Sequence, residues 1–145
     1  MEYAMHPAGG SGQQWDTWEA MFSPPDPRTG YPRQMFDPRS GEIDRTVVEH
    51  WKRFDITRLI TSDWETYGGI VTQKVRLACG TDDSFYLQRA VERFKAAVEQ
   101  LAGDVDGPGY VWLVEGATHG SIRQSLRDRW PREMIEHLRR HGLHE

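Results

Sequence analysis

Hydrophobic positions in the second half of the chain recur with two different periods, and each period predicts a different element. Val75, Leu77 and Cys79 alternate with Lys74 and Arg76, which predicts a strand with one better-buried face that ends at Gly80. An apolar stripe at helical spacing predicts a helix from about Phe85 to Ala102. A near-continuous apolar run predicts a strand buried on both faces at 110–114, and a last helix is predicted over 121–140.

The first half of the chain predicts short helices separated by loops. Residues 1–14 are small and polar and are interpreted as a flexible lead, followed by a short helix from Trp15 to Phe22. The segment from Ser23 to Asp44 is rich in Pro and Gly, which predicts a long loop because Pro removes backbone donors. Helices are predicted after Asp44, which can cap the first of them, and over 56–62; residues 63–73 are predicted to be loop.

The order strand, helix, strand, helix predicts an α/β fold with a parallel pair of strands and a right-handed crossover. Ligand sites in such sheets lie outside the carboxyl ends of the strands. The first strand is followed there by Asp82 and Asp83, and the second by His119.

An acid near an imidazole is the pairing of a hydrolase triad, because the carboxylate fixes the tautomer of the His and stabilises its charged form. His119, with Asp82 or Asp83 as its acid, is therefore the candidate catalytic pair. The competing interpretation is structural: Asp82, Asp83 or Ser84 can cap the helix that follows, and Thr118 or Ser121 can cap the last helix. The residues alone leave both interpretations open.

The chain from about Gly30 to Ile122 resembles the C-terminal half of bacterial esterases of the α/β-hydrolase fold. The matching stretches are GYPRQMFDPRSGEID, VVEHWKRFD, VRLACGTDDSFYLQRAVERFKAAVE and VEGATHGSI. The resemblance implies a partial α/β-hydrolase fold over 15–145, with a loop or cap-like region at 15–73 and the strand and helix repeat at 74–145. It also implies that Asp83 is the acid, that His119 is the base, and that the substrate is a small ester.

The chain departs from that family at the nucleophile. No G-x-S-x-G elbow occurs in the sequence, and Ser11 in GGSGQQ is neither preceded by a strand nor followed by a clear helix. One hypothesis is therefore a hydrolase segment that is inactive alone and takes its serine from an upstream half, either a separate chain or part of a longer reading frame. The alternative is a non-catalytic remnant or interaction domain that pairs with another chain or with itself.

Composition excludes several other classes of function. A net charge of −4 argues against binding nucleic acid through its phosphates. No apolar window is long enough to span a membrane, and the N-terminus has no secretory signal pattern, so a cytoplasmic protein is expected. Cys79 is the single cysteine and is interpreted as a small buried residue. No cofactor is implied.

A His-rich C-terminal end suggests a third and weaker hypothesis, a zinc site. His137, His141 and His144, with Glu133, follow a spacing of three or four residues that can place ligands on one helix face. A solvated helix end explains the same residues, because His is favoured at the negative end of the helix dipole. No metal site is expected.

Overall fold

The computed structural model describes residues 13–103 and 109–143. The described residues divide into two compact units, one ending at Leu59 and the other beginning at Ile60. Almost all of the lead predicted at 1–14 lies outside the described residues. The second unit holds the sheet and the loops that carry Asp83 and His119.

The chain forms seven α-helices, one 3-10 helix and two strands within the described residues. In chain order they are α1 (Gln14–Phe22), α2 (Arg45–Trp51), the 3-10 helix (Lys52–Phe54), α3 (Ile56–Ser62), α4 (Trp64–Lys74), β1 (Arg76–Gly80), α5 (Gln88–Ala102), β2 (Tyr110–Val114), α6 (Ile122–Leu126) and α7 (Arg129–Arg140). This is a mixed α/β architecture, as predicted.

The first unit is organised by aromatic side chains around a buried acid. Trp15 of α1 stacks on Trp51 of α2 with ring centroids 5.9 Å apart. Glu19 is buried on α1, and its Oε1 accepts hydrogen bonds from Trp15 Nε1 at 3.0 Å and from the Met35 backbone N–H at 2.9 Å. Glu19 therefore ties α1 to the Pro-rich segment, which forms only isolated bridges, as the loop prediction required.

The cap predicted at Asp44 is confirmed. Its carboxylate accepts hydrogen bonds from the backbone N–H groups of Thr46 and Val47, which have no partner inside the helix. The same carboxylate forms a salt bridge with the Arg33 guanidinium, whose nitrogen lies 2.5 Å from Oδ2. One side chain therefore both starts α2 and fixes the end of the loop before it.

The prediction of a loop over 63–73 is wrong, because this segment forms the helix α4. Asp63 caps it by accepting from the Thr66 N–H at 3.2 Å, and Trp64 and Val71 pack into the core on one face. The missing side chain of Gly68 is a packing feature of this helix. A Cβ at Gly68 would lie 2.6 Å from the Trp64 indole, so the glycine leaves room for that ring.

The two strands are parallel neighbours, in the order that the sequence predicted. The register pairs Arg76 with Tyr110 at one end and Gly80 with Val114 at the other. One face of the pair contributes Leu77 and Val111 to a core built around Ile60, Val71 and Phe94, the last from the predicted apolar stripe of α5.

The expectation that β2 is buried on both faces is wrong, since all five of its residues are only half-buried. Its second face meets polar groups of α7 instead of an apolar layer. The Arg129 guanidinium lies 4.2 Å from the centre of the Tyr110 ring and 4.9 Å from that of Trp112. Glu133 accepts a hydrogen bond from the Tyr110 hydroxyl at 3.1 Å and one from Arg76 at 3.2 Å. This face is therefore amphipathic.

The last helix is also interrupted where one helix was predicted over 121–140. It divides into α6 and α7, with Arg127 and Asp128 between them. Pro131 explains the break, because a proline ring clashes with the carbonyl four residues earlier, which here belongs to Arg127. None of the helices within the described residues is long and apolar enough to cross a membrane.

Candidate active site

Parallel pairing brings Asp83 and His119 together, although 36 residues separate them in sequence. Each follows the carboxyl end of a strand, and the register places those two ends side by side. The Nδ1 atom of His119 lies 2.9 Å from Oδ2 of Asp83, which is hydrogen-bonding distance. The pair predicted from the sequence is therefore a direct contact.

Backbone contacts between the two loops hold this pair in place. The N–H of Thr81 donates to the Val114 carbonyl at 3.0 Å, and the N–H of Asp82 donates to the Ala117 carbonyl at 3.0 Å. Gly80 is required for this approach, because a Cβ there would lie 1.9 Å from the Ala117 carbonyl oxygen. The loop that follows β2 and carries His119 therefore packs directly against the end of β1.

The two carboxylate oxygens of Asp83 make different contacts. Oδ1 accepts hydrogen bonds from the backbone N–H groups of Phe85 at 2.8 Å and Leu87 at 3.4 Å, whereas Oδ2 faces the imidazole. The structural and the catalytic interpretations of this residue are thus compatible. One oxygen organises the turn that leads into α5, and the other is free to bind His119.

Asp83 is kept ionised despite its burial. Only 3% of its side chain is exposed, and this burial raises its pKa, but the hydrogen bonds from His119, Phe85 and Leu87 outweigh burial and leave the pKa below its ordinary value. Asp82 is exposed, and its carboxylate accepts a hydrogen bond from the hydroxyl of its neighbour Thr81 at 3.4 Å. Of the two adjacent acids, only Asp83 therefore meets His119.

The second nitrogen of His119, Nε2, is not engaged by this pair. Because an ionised carboxylate can only accept a hydrogen bond, Nδ1 carries the proton in the neutral ring and Nε2 carries a lone pair. Half of the side chain is exposed, and no hydrogen bond reaches Nε2 from the described residues of this unit. The ring of Phe85 packs against the imidazole edge-to-face, with centroids 4.8 Å apart.

Phe85 and Cys79 are two further neighbours of the pair that sequence reasoning did not assign to the site. The Cys79 thiol is buried 3.9 Å from Asp83 Oδ2. Burial, and then the negative charge of Asp83, raise the pKa of Cys79, so the thiol stays protonated, as expected of a small buried residue. Both contacts follow from sequence proximity to Asp83: Cys79 is four residues before it, and Phe85 is two residues after it.

No hydroxyl group in the described part of this unit is placed to serve His119 as a nucleophile. Ser121 is committed to its own turn, where its Oγ accepts from the Thr118 N–H at 2.8 Å. Ser84 is exposed beside Asp83 and has no hydrogen bond to His119. Ser11 lies outside the described residues.

The His-rich end forms no metal site within 13–103 and 109–143, where no group of three potential ligands is close enough to bind an ion. The rings of His137 and His141 pack with centroids 4.2 Å apart, and His144 lies outside the described residues. The Nδ1 atom of His141 lies 2.8 Å from the His137 carbonyl oxygen. These contacts match the solvated helix end that was the alternative interpretation.

A cavity of about 320 Å³ lies at the opposite end of the sheet from Asp83 and His119. Its lining includes Val75 and Tyr110, where the two strands begin, and Val98 of α5. It is therefore not the mouth of the Asp83–His119 site.

Comparison of the chain with protein-family models, with curated proteins and with solved structures returned no match.

Proposed function

We propose that this chain contributes the acid and the base of a Ser-His-Asp triad in an esterase-like hydrolase of the α/β-hydrolase fold. The observation that carries the proposal is the 2.9 Å contact between His119 Nδ1 and the buried carboxylate of Asp83, in a His side chain that is half exposed and whose Nε2 receives no hydrogen bond from the described residues of this unit. This is the orientation in which a triad His accepts the proton of a serine.

The proposed roles follow from the charges and the hydrogen bonds. His119 Nε2 takes the proton from a serine hydroxyl as that oxygen attacks the ester carbonyl, and it later gives the proton to the departing alcohol. Asp83 remains ionised and stabilises the imidazolium that forms in between. Its burial favours this role, since a charge pair interacts more strongly when water is kept away from it.

The proposal also includes a source for the serine outside this sequence, because the chain contains no G-x-S-x-G elbow. Removing the nucleophile from a triad removes most of the rate. We therefore expect the chain to lack triad catalysis until a nucleophile-bearing half is present.

The test is to express this chain with the coding sequence upstream of it, or with a separate chain that carries such an elbow, and to treat the complex with a fluorophosphonate probe. We expect a labelled serine and ester turnover, both lost in His119→Ala. The matched control is His141→Gln, which removes another exposed imidazole and should leave labelling unchanged. A purified complex without ester turnover, or labelling that survives His119→Ala, would contradict the proposal.

A second candidate is an interaction domain that pairs through its sheet. Within the described residues the sheet has only two strands, so each strand has one edge without a strand neighbour. Such edges present free backbone donors and acceptors to another chain. Light scattering after size-exclusion chromatography tests this candidate, and a clean monomer at high concentration would count against self-pairing.

A further inference from the structure

The Asp83–His119 pair has the features of a nucleophile in its own right. Neutral imidazole attacks acyl groups through a nitrogen lone pair, and in most exposed His side chains the two tautomers share that role. Here the carboxylate holds the proton on Nδ1 and leaves the lone pair on Nε2, in a side chain that is half exposed.

We propose that His119 Nε2 accepts acyl groups directly from activated aryl esters, without any serine. This activity is distinct from the proposed triad function, because it needs only the residues that this chain contains. It makes the isolated chain a slow acyl acceptor and esterase.

The reaction balances with water as the only other reactant. Nε2 attacks the carbonyl carbon, a C–N bond forms, and the bond from that carbon to the aryl oxygen breaks to release the phenolate. The acylated ring is cationic, and the Asp83 carboxylate stabilises it through the Nδ1 proton. Water then attacks the acyl carbon and gives up one proton to the solvent, where it neutralises the charge of the released phenolate. The C–N bond breaks, and the carboxylic acid leaves with neutral His119 regenerated, its proton still on Nδ1.

The aromatic ring of Phe85 beside the imidazole favours aryl esters. Phe85 packs against the His119 ring, yet 63% of the residue remains exposed. The backbone of Phe85 is held in its turn by the N–H bond to Asp83 Oδ1, which keeps this residue next to the imidazole. An aromatic leaving group can pack on this exposed surface while its carbonyl carbon meets Nε2.

The direct test is to mix the isolated chain with p-nitrophenyl acetate, quench it rapidly in acid and map the adduct by peptide mass spectrometry. We expect the acetyl group on the peptide that contains His119. In His119→Gln, the rate of p-nitrophenolate release should fall to the rate that the other histidines of the chain support. The matched control is His141→Gln, because His141 is also exposed but its Nδ1 meets a carbonyl instead of a carboxylate.

Two further variants test the mechanism. Asp83→Asn should lower the acylation rate about tenfold or more, because a neutral partner binds the cationic ring less strongly than a carboxylate does. Phe85→Leu keeps apolar bulk but loses the ring. This variant should lower the acylation rate with p-nitrophenyl acetate about threefold. It should leave the rate with trifluoroethyl acetate, an activated alkyl ester, unchanged.

The proposal is overturned if the acetyl group maps to another residue or if His119→Gln reacts as fast as the unaltered chain. The adduct map uses the unaltered protein, so it does not depend on the folding of any variant. The two proposals fail separately: a labelled serine in the completed enzyme tests the triad, and an acetylated His119 in the isolated chain tests direct acyl transfer.

Discussion

Asp83→Asn should reverse the tautomer of His119 while leaving the ring in place. In the unaltered chain, Oδ1 accepts two backbone N–H groups and Oδ2 faces Nδ1. An asparagine has one oxygen and one NH2 group. Because the two backbone donors need an acceptor, the amide oxygen takes the Oδ1 position and the NH2 group points at Nδ1. Nδ1 must then accept, so the proton of the neutral ring moves to Nε2.

The size of this preference follows from the bonds at Oδ1. To keep the proton on Nδ1, the amide would have to turn its NH2 group toward the N–H groups of Phe85 and Leu87, which would lose both bonds. The bond from Phe85 is short at 2.8 Å, and that from Leu87 is longer at 3.4 Å. Leaving a fully buried donor unsatisfied costs about 1–3 kcal/mol, and because these two donors are only part-buried we take about 2 kcal/mol for both together, which favours the Nε2–H form by about 30 to 1.

The measurement is the nitrogen chemical shift of each imidazole in labelled protein at a pH of about 9, where ordinary histidines are neutral. In the unaltered chain we expect a protonated Nδ1 and an unprotonated Nε2 for His119, and the reverse in Asp83→Asn. His141 provides an internal control, because its Nδ1 meets the His137 carbonyl, which can only accept. Its tautomer should be Nδ1–H in both proteins.

A His119 that keeps its proton on Nδ1 in Asp83→Asn would refute this reasoning. The result would mean that the backbone donors do not orient the side chain at position 83. The same reversal explains why both proposed activities should fall in this variant, since Nε2 would then carry a proton where each mechanism needs a lone pair.

Three other outcomes follow from packing and charge. Gly69→Ala should stabilise α4 by about 0.5–1 kcal/mol, because nothing lies near its Cβ position, whereas Gly68→Ala should lower the melting temperature by forcing the Trp64 ring to move. Glu19→Ala should cost about 2 kcal/mol or more in chemical denaturation, because two donors lose their acceptor, and Glu19→Gln, which keeps one oxygen for both, should cost less than half as much. The hydrogen bond from the Thr46 hydroxyl, with Arg33 and backbone donors, lowers the pKa of Asp44 from 3.8 to about 2. The ionised Asp44 should therefore stabilise the fold fully above pH 4, and this contribution should disappear as the pH falls through about 2. Asp44→Asn should flatten that part of the acid unfolding curve, and an unchanged curve would show that the cap contributes little.

Local pattern was sufficient for most elements of this fold. The bounds predicted for the short helix at 56–62 and for the strand at 110–114 agree with the structure. Capping by Asp44 could be predicted because a cap side chain accepts only from backbone N–H groups two or three residues further along the chain. The helix α4 was missed for a non-local reason. Its glycine pair is a turn signal by itself, and only the Trp64 ring beside Gly68 shows why a helix keeps it.

The sequence by itself determined that an acid and a His would follow neighbouring parallel strands, because strand order and alternation are local properties of the chain. The residues alone did not separate Asp83 from Asp82; the resemblance implied Asp83, and the tertiary structure shows that Asp83 is the acid that meets His119, because the turn directs its side chain inward. It also decided that Oδ1 is occupied by backbone donors and that Nε2 is open. These features depend on distances between loops that are 36 residues apart, and no local pattern encodes such distances.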